Sequence, residues 1–90
     1  MHDICLIKGI YNELKKICAK YDIVKLERVF MEVNINIHID EENFKEFVKD
    51  QKDPVIGEWT KIEITKTDIE ENTAIIHVLE GERNEDFLDE

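Results

Sequence analysis

Residues 25–37, KLERVFMEVNINI, decide the fold. Val29, Met31, Val33, Ile35 and Ile37 alternate with Arg28, Phe30, Glu32, Asn34 and Asn36. A period of two puts one set on a buried face and the other toward solvent, which is a β-strand with one half-buried side. The segment before it keeps a different period. Ile7, Ile10, Leu14, Ile17 and Tyr21 recur at spacings of three and four, with Lys8, Glu13, Lys15, Lys16 and Lys20 between them. That pattern predicts an amphipathic helix over residues 4–21. Asp3 stands where a carboxylate caps free N–H groups, and the lysines of the last turns match the opposite pole of the dipole.

After the strand, HIDEENFKEFVKD returns to helical spacing. Asp40 reads as the N-cap, Glu41 and Glu42 load the first turn, and Phe44, Phe47 and Val48 form a short stripe. Asp53-Pro54 and Gly57 mark the exit. WTKIEITKT reads as a second strand with Ile62 and Ile64 on one face, and Trp59 at its head as a core or rim residue. TAIIHVLE reads as a third strand. The intervening DIEEN is short enough for a hairpin, with Asn72 tolerating a left-handed conformation. The expected fold is therefore α+β: two helices on one face of a three-stranded sheet, in the order α-β-α-β-β. Residues 1–80 form one domain, and residues 81–90, GERNEDFLDE, an acidic tail that frays.

Composition narrows function. Ninety residues with 42% hydrophobic and 8% aromatic content suit one globular domain. Twelve basic against 22 acidic residues give a net charge of −10, which repels a phosphate backbone and argues against nucleic acid. An acidic surface favours cations and basic protein patches, and equally serves solubility. No apolar run reaches the length of a membrane span, and no signal-peptide pattern is present, so the expectation is a cytoplasmic protein with no membrane partner. Cys5 and Cys18 fall on one predicted helix about 20 Å apart, too far to bridge, and two cysteines alone do not make a structural zinc site. No nucleophile motif, phosphate loop or paired carboxylate constellation is present, so catalysis is not expected.

The chemistry that remains lies at Met1-His2-Asp3. A free amine, the amide nitrogen of His2 and its imidazole Nδ1 close two adjoining chelate rings. The deprotonated amide suits an ion that favours in-plane nitrogen ligands, nickel(II) or copper(II). The fourth position falls to the backbone nitrogen of Asp3 or to a nearby carboxylate. A bulky second residue is expected to keep Met1 in place. His38 is either a solvated turn residue or a further ligand, and Cys5, one turn into the first helix, is a softer candidate. His77 reads as a strand residue with its hydrogen bond met.

Met1-His2-Asp3 ahead of a helix, followed by KLERVFMEVNINIHIDEENF and then GEWTKIEI, resembles the HypA-type hydrogenase nickel-incorporation proteins over about residues 1–80. The resemblance implies a nickel-binding metallochaperone whose metal site is Met1, His2, the backbone at Asp3, and Asp40 brought close to the N-terminus. It further implies delivery to a hydrogenase large subunit or to urease, together with a GTP-hydrolysing maturation partner. Two departures stand out. Asp3 replaces the family's glutamate, and the family's zinc module with two C-x-x-C pairs is missing, where this chain has only DIEEN. Nickel(II) is then expected without structural zinc. The alternative is a non-catalytic interaction module of the same fold that has lost metal delivery and pairs through an exposed sheet edge as a homo-oligomer.

Overall fold

In a computed structural model that describes residues 4–71 and 73–83, the alternating stretch becomes the middle strand of the sheet. The elements are α1 (Ile4–Lys20), β1 (Ile23–Asn34), α2 (Glu41–Gln51), β2 (Lys61–Thr67) and β3 (Ala74–Arg83). The class is α+β and the order α-β-α-β-β, as the sequence predicts. No helix among the described residues is long and apolar enough to cross a membrane.

Val29, Met31 and Val33 are fully buried and pack with Ile7, Leu14, Phe44 and Val48 of the two helices. Arg28, Phe30 and Glu32 face away from them. The alternation fails at both ends of the stretch. Asn34 is buried where an exposed residue is expected, and Ile35 is 57% exposed. The strand ends there: Ile37 N–H bonds back to the Asn34 carbonyl, and the turn returns Ile37 and Ile39 to the core. At the start of β1, Ile23, Leu26 and Val29 are buried at intervals of three, because the register against β3 shifts between Ile23 and Lys25 and again between Leu26 and Arg28. Each irregularity inserts one residue and restores an apolar side chain to the inner face.

The expected β2–β3 hairpin does not form. The strand order is β2-β1-β3, with β2 parallel and β3 antiparallel to β1. Parallel pairing follows from α2, which carries the chain back between β1 and β2 as a crossover. The residues after β2 then pass the end of β1 to reach its other side, about 10 Å away across two strand spacings. Buried Asn34 holds that passage: its side-chain amide donates to the Ile69 carbonyl, and its oxygen accepts from Asn36 N–H at 2.8 Å. Nothing in DIEEN announces this, because the anchor lies 35 residues upstream. Asn72 lies outside the described residues.

The α1 stripe is also rotated from expectation. Ile7, Ile10, Tyr11, Leu14 and Cys18 are buried, Ile17 is half-buried, and Tyr21 is 46% exposed beyond the helix end. Asp22, in the left-handed region at φ 58°, turns the chain into β1. Asp3 as the α1 cap lies outside the described residues. The stripe of α2 is as expected, with Phe44 and Val48 buried and Phe47 edge-on to Tyr11 at 5.5 Å between ring centres.

The first three residues of the expected acidic tail are strand, and residues 84–90 lie outside the described residues. Gly81, Glu82 and Arg83 belong to β3, where they pair with Leu26, Lys25 and Ile23. Gly81 is required there: a Cβ on it would overlap the Lys25 carbonyl oxygen and the Ile23 side chain. Gly9, mid-helix on α1, has open space around it. Gly81→Ala is therefore expected to lower unfolding free energy by about 2 kcal/mol through overpacking. Gly9→Ala should raise it by about 0.5–1 kcal/mol through helix propensity. Urea midpoints of the two variants check both signs.

Candidate functional site

Of the residues expected to bind metal, Met1, His2 and Asp3 lie outside the described residues. Asp40 is described, and its first task is structural. Its Oδ1 accepts from Asn43 N–H at 2.9 Å, while Asn43 Oδ1 accepts from Asp40 N–H at 3.0 Å. This reciprocal capping box starts α2. The second carboxylate oxygen of Asp40 remains at an exposed position. His38 is exposed two residues earlier, its carbonyl accepting from the Asn43 side-chain amide at 3.1 Å. Cys5 is a free, exposed thiol on the first turn of α1. Among the described residues, no three His, Cys, Asp or Glu side chains converge as a metal cluster.

Glu41, read from sequence as a dipole complement, has a second role. Its carboxylate accepts from the Ile64 backbone N–H at 3.0 Å, so the start of α2 is tied to the outer edge of β2.

A second polar group lies on the sheet face away from the helices. His77 stacks on Phe30 with ring centres 5.4 Å apart, and its Nε2 sits 3.1 Å from Glu32 Oε2. Glu32 Oε1 accepts from Thr67 Oγ1 at 3.2 Å, so one carboxylate of the middle strand engages both neighbours. Arg28 repeats the arrangement, 3.1 Å from Glu63 on β2 and 3.5 Å from Glu80 on β3. The Glu63 hydrogen bond, then the charges of Glu63 and Glu80, hold its guanidinium above the ordinary value. In this geometry Thr67 donates to Glu32 and is not aligned with His77, so the group is a cross-strand ladder and not a nucleophile–base pair. The hydrogen-bond partner expected for His77 is Glu32, set by the register of β1 and β3.

Asp53, expected from the sequence to mark a helix exit, is an enclosed charged group. Its side chain is 7% exposed. Oδ1 accepts from Val55 N–H at 2.7 Å and Ile56 N–H at 3.2 Å, and Oδ2 from Tyr11 Oη at 2.9 Å, with Lys15 Nζ at 3.3 Å. Burial pushes the Asp53 carboxyl up, but the two amides, the Tyr11 hydroxyl and Lys15 together bring it below its ordinary value. Desolvation and the Asp53 hydrogen bond push Tyr11 up to about 12. Burial, then the Asp53 charge, raises the Cys18 thiol, so it is a protonated core residue and not a nucleophile. Val55 in turn accepts from Leu26 N–H at 2.8 Å, and Thr60, fully buried, donates to the Leu26 carbonyl at 2.7 Å. Asp53 therefore joins α1 to the segment that leads into β2, and its four donors leave little capacity for a ligand. The Asp-Pro pair signalled a turn but not the tyrosine 42 positions away that completes the site.

Because its folded-state pKa lies below the unfolded value near 3.8, the Asp53 carboxylate stabilises the fold fully above that value. The contribution is lost as pH falls through the depressed folded value. Asp53→Asn is expected to cost about 2 kcal/mol at neutral pH, with the gap from the parent narrowing below about pH 4. Urea titrations at several pH values follow both. No protein-family model, curated protein or solved structure matches the chain.

Proposed function

We propose that this chain is a nickel-binding, metallochaperone-like protein without a zinc module, as its resemblance to HypA-type proteins implies. The observation that carries the reading is the tripeptide Met1-His2-Asp3 placed directly ahead of α1, whose first residue is Ile4. With Met1 as native first residue and its amine free, the amine, the His2 amide nitrogen and the imidazole supply three in-plane nitrogen donors, and the fourth position falls to the Asp3 nitrogen or to a carboxylate such as Asp40. The α-β-α-β-β order and the Asp40 turn ahead of α2 agree with the arrangement the resemblance implies. Nickel is cargo in this reading. It passes to a hydrogenase large subunit or to urease, with a GTP-hydrolysing partner. The surface carries a net charge of −10, which attracts a divalent cation. The role assigned is binding and transfer, not catalysis, and the compartment is the cytoplasm.

A second reading, an interaction module that has lost metal traffic, is favoured by one observation: the sheet face bearing Phe30, Ile75 and His77 is not covered by either helix.

The test is calorimetric titration of nickel(II) into untagged protein. The native chain is expected to bind one equivalent with the absorption of a square-planar centre. His2→Ala, or acetylation of the amine, should weaken binding by about a hundredfold. Equal, weak binding by all three would overturn the reading. Asp40 is tested separately. Asp40→Asn keeps an N-cap and is expected to leave stability within a few tenths of a kcal/mol, while Asp40→Ala costs about 1 kcal/mol. A nickel affinity reduced in both variants marks Asp40 as a ligand; an unchanged one confines it to capping.

A further inference from the structure

The two edges of the sheet are unlike. On β2, the Ile64 N–H is taken by the Glu41 carboxylate, and Lys61 and Lys66 flank it. β3 is ten residues long, and its first six, AIIHVL, contain no proline, no lysine and His77 as the single ionisable group. Among the described residues nothing pairs with its far side. Proteins blunt such edges or use them.

The faces of β3 follow from its register. Ala74, Ile76, Leu79 and Gly81 pair with Val33, Met31, Val29 and Leu26, all buried, and so lie on the helix side. Ile75, Val78 and Glu80 pair with Glu32, Phe30 and Arg28 on the other side, where His77 also stacks on Phe30. The register shift between Phe30 and Met31 makes His77 the extra residue. From residue 74 to 81 the faces therefore run in, out, in, out, out, in, out, in. This order is the same read in either direction about the His77–Val78 bond. Antiparallel neighbours must match faces pair by pair. A regular strand would have to skip a residue at the irregularity, as β1 does. A second copy of β3 matches residue for residue.

We propose that β3 is the contact strand of a homodimer, paired antiparallel with the same strand of a second copy about a two-fold axis at His77–Val78. The register sets Ile76 opposite Leu79 of the other copy, Ala74 opposite Gly81, Ile75 opposite Glu80 and His77 opposite Val78, with no two acidic residues facing each other. On the helix side a groove lined by Ile17, Tyr21, Ile23, Leu79 and Gly81, whose lining also includes the charged Glu80 and Arg83, runs beside the edge and seats the incoming Ile76 and Ala74. A two-fold contact is closed, so association stops at two copies. Both copies carry −10, so their repulsion opposes pairing, and the dimer tightens as salt screens it. This inference does not rest on nickel binding and survives or fails without it.

The experiment is sedimentation equilibrium of the full chain over a range of concentration and salt, with hydrogen exchange of the β3 amides at low and high concentration. A monomer–dimer equilibrium strengthened by salt is expected, with β3 amides slowed only at high concentration. His77→Lys sets two like charges beside the axis and should weaken the dimer by about tenfold or more. His77→Gln, neutral at the same position, should keep it. A monomer under all conditions overturns the proposal. So does a dimer indifferent to His77→Lys, or one whose β3 amides exchange as fast as in the monomer. Exchange on the unmodified protein decides the matter even where a variant fails to fold.

Discussion

Everything in this fold turns on β1 being paired along both of its edges while being buried on only one face. Val29, Met31 and Val33 supply the inner face that both helices cover. Because its two neighbours approach from opposite sides, β2 and β3 never meet. The chain must then cross the end of β1, and Asn34, the last residue of the strand, is turned inward to hold the crossing backbone at Ile69. A buried amide costs free energy unless its donors and acceptors are met, and here both ends of the side chain are engaged. The same constraint puts Glu32 and Arg28 between two strands each, so both charges are shared across the sheet.

Element types were legible because each rests on local periodicity. The helix of Phe44 and Val48 and the strand of Ile62 and Ile64 occur where their spacing puts them. What stayed hidden depends on distant partners. Leu26 is buried because the register slips beside it, which no spacing along one strand reveals. Gly81 reads as a tail opener until Lys25 is seen to crowd it. Ile17 and Tyr21 extend the helical stripe on paper, but the sheet narrows beneath them and the burial passes to Tyr11 and Cys18.

Function divides along the same line. Asp40 was legible as a cap because the Asp-to-Asn spacing that closes the box is local. Asp53 was not, since its partners Tyr11 and Lys15 come from the other helix. The two acids also show how one residue type serves opposite ends. Asp40 keeps an oxygen at the surface, where a cation can reach it, whereas Asp53 spends both oxygens on protein donors. The chelation proposed for Met1-His2-Asp3 rests on contiguous residues, so it would need no fold to assemble its donors.

A strand order of β2-β1-β3 necessarily leaves β2 and β3 outermost, and the crossover helix that joins β1 to β2 comes to lie beside β2. Glu41 at its first turn therefore reaches the β2 edge as a by-product of parallel connectivity. β3, joined by a passage without a helix, receives no such cover among the described residues. The asymmetry among the described residues is thus built into the topology, and the proposed pairing depends on the irregularity at His77. It interrupts the alternation at the middle of the strand, so the two halves of β3 present mirror-ordered faces. A strand of that pattern pairs with least distortion to its own copy, so the proposed self-recognition traces back to how β1 holds β3.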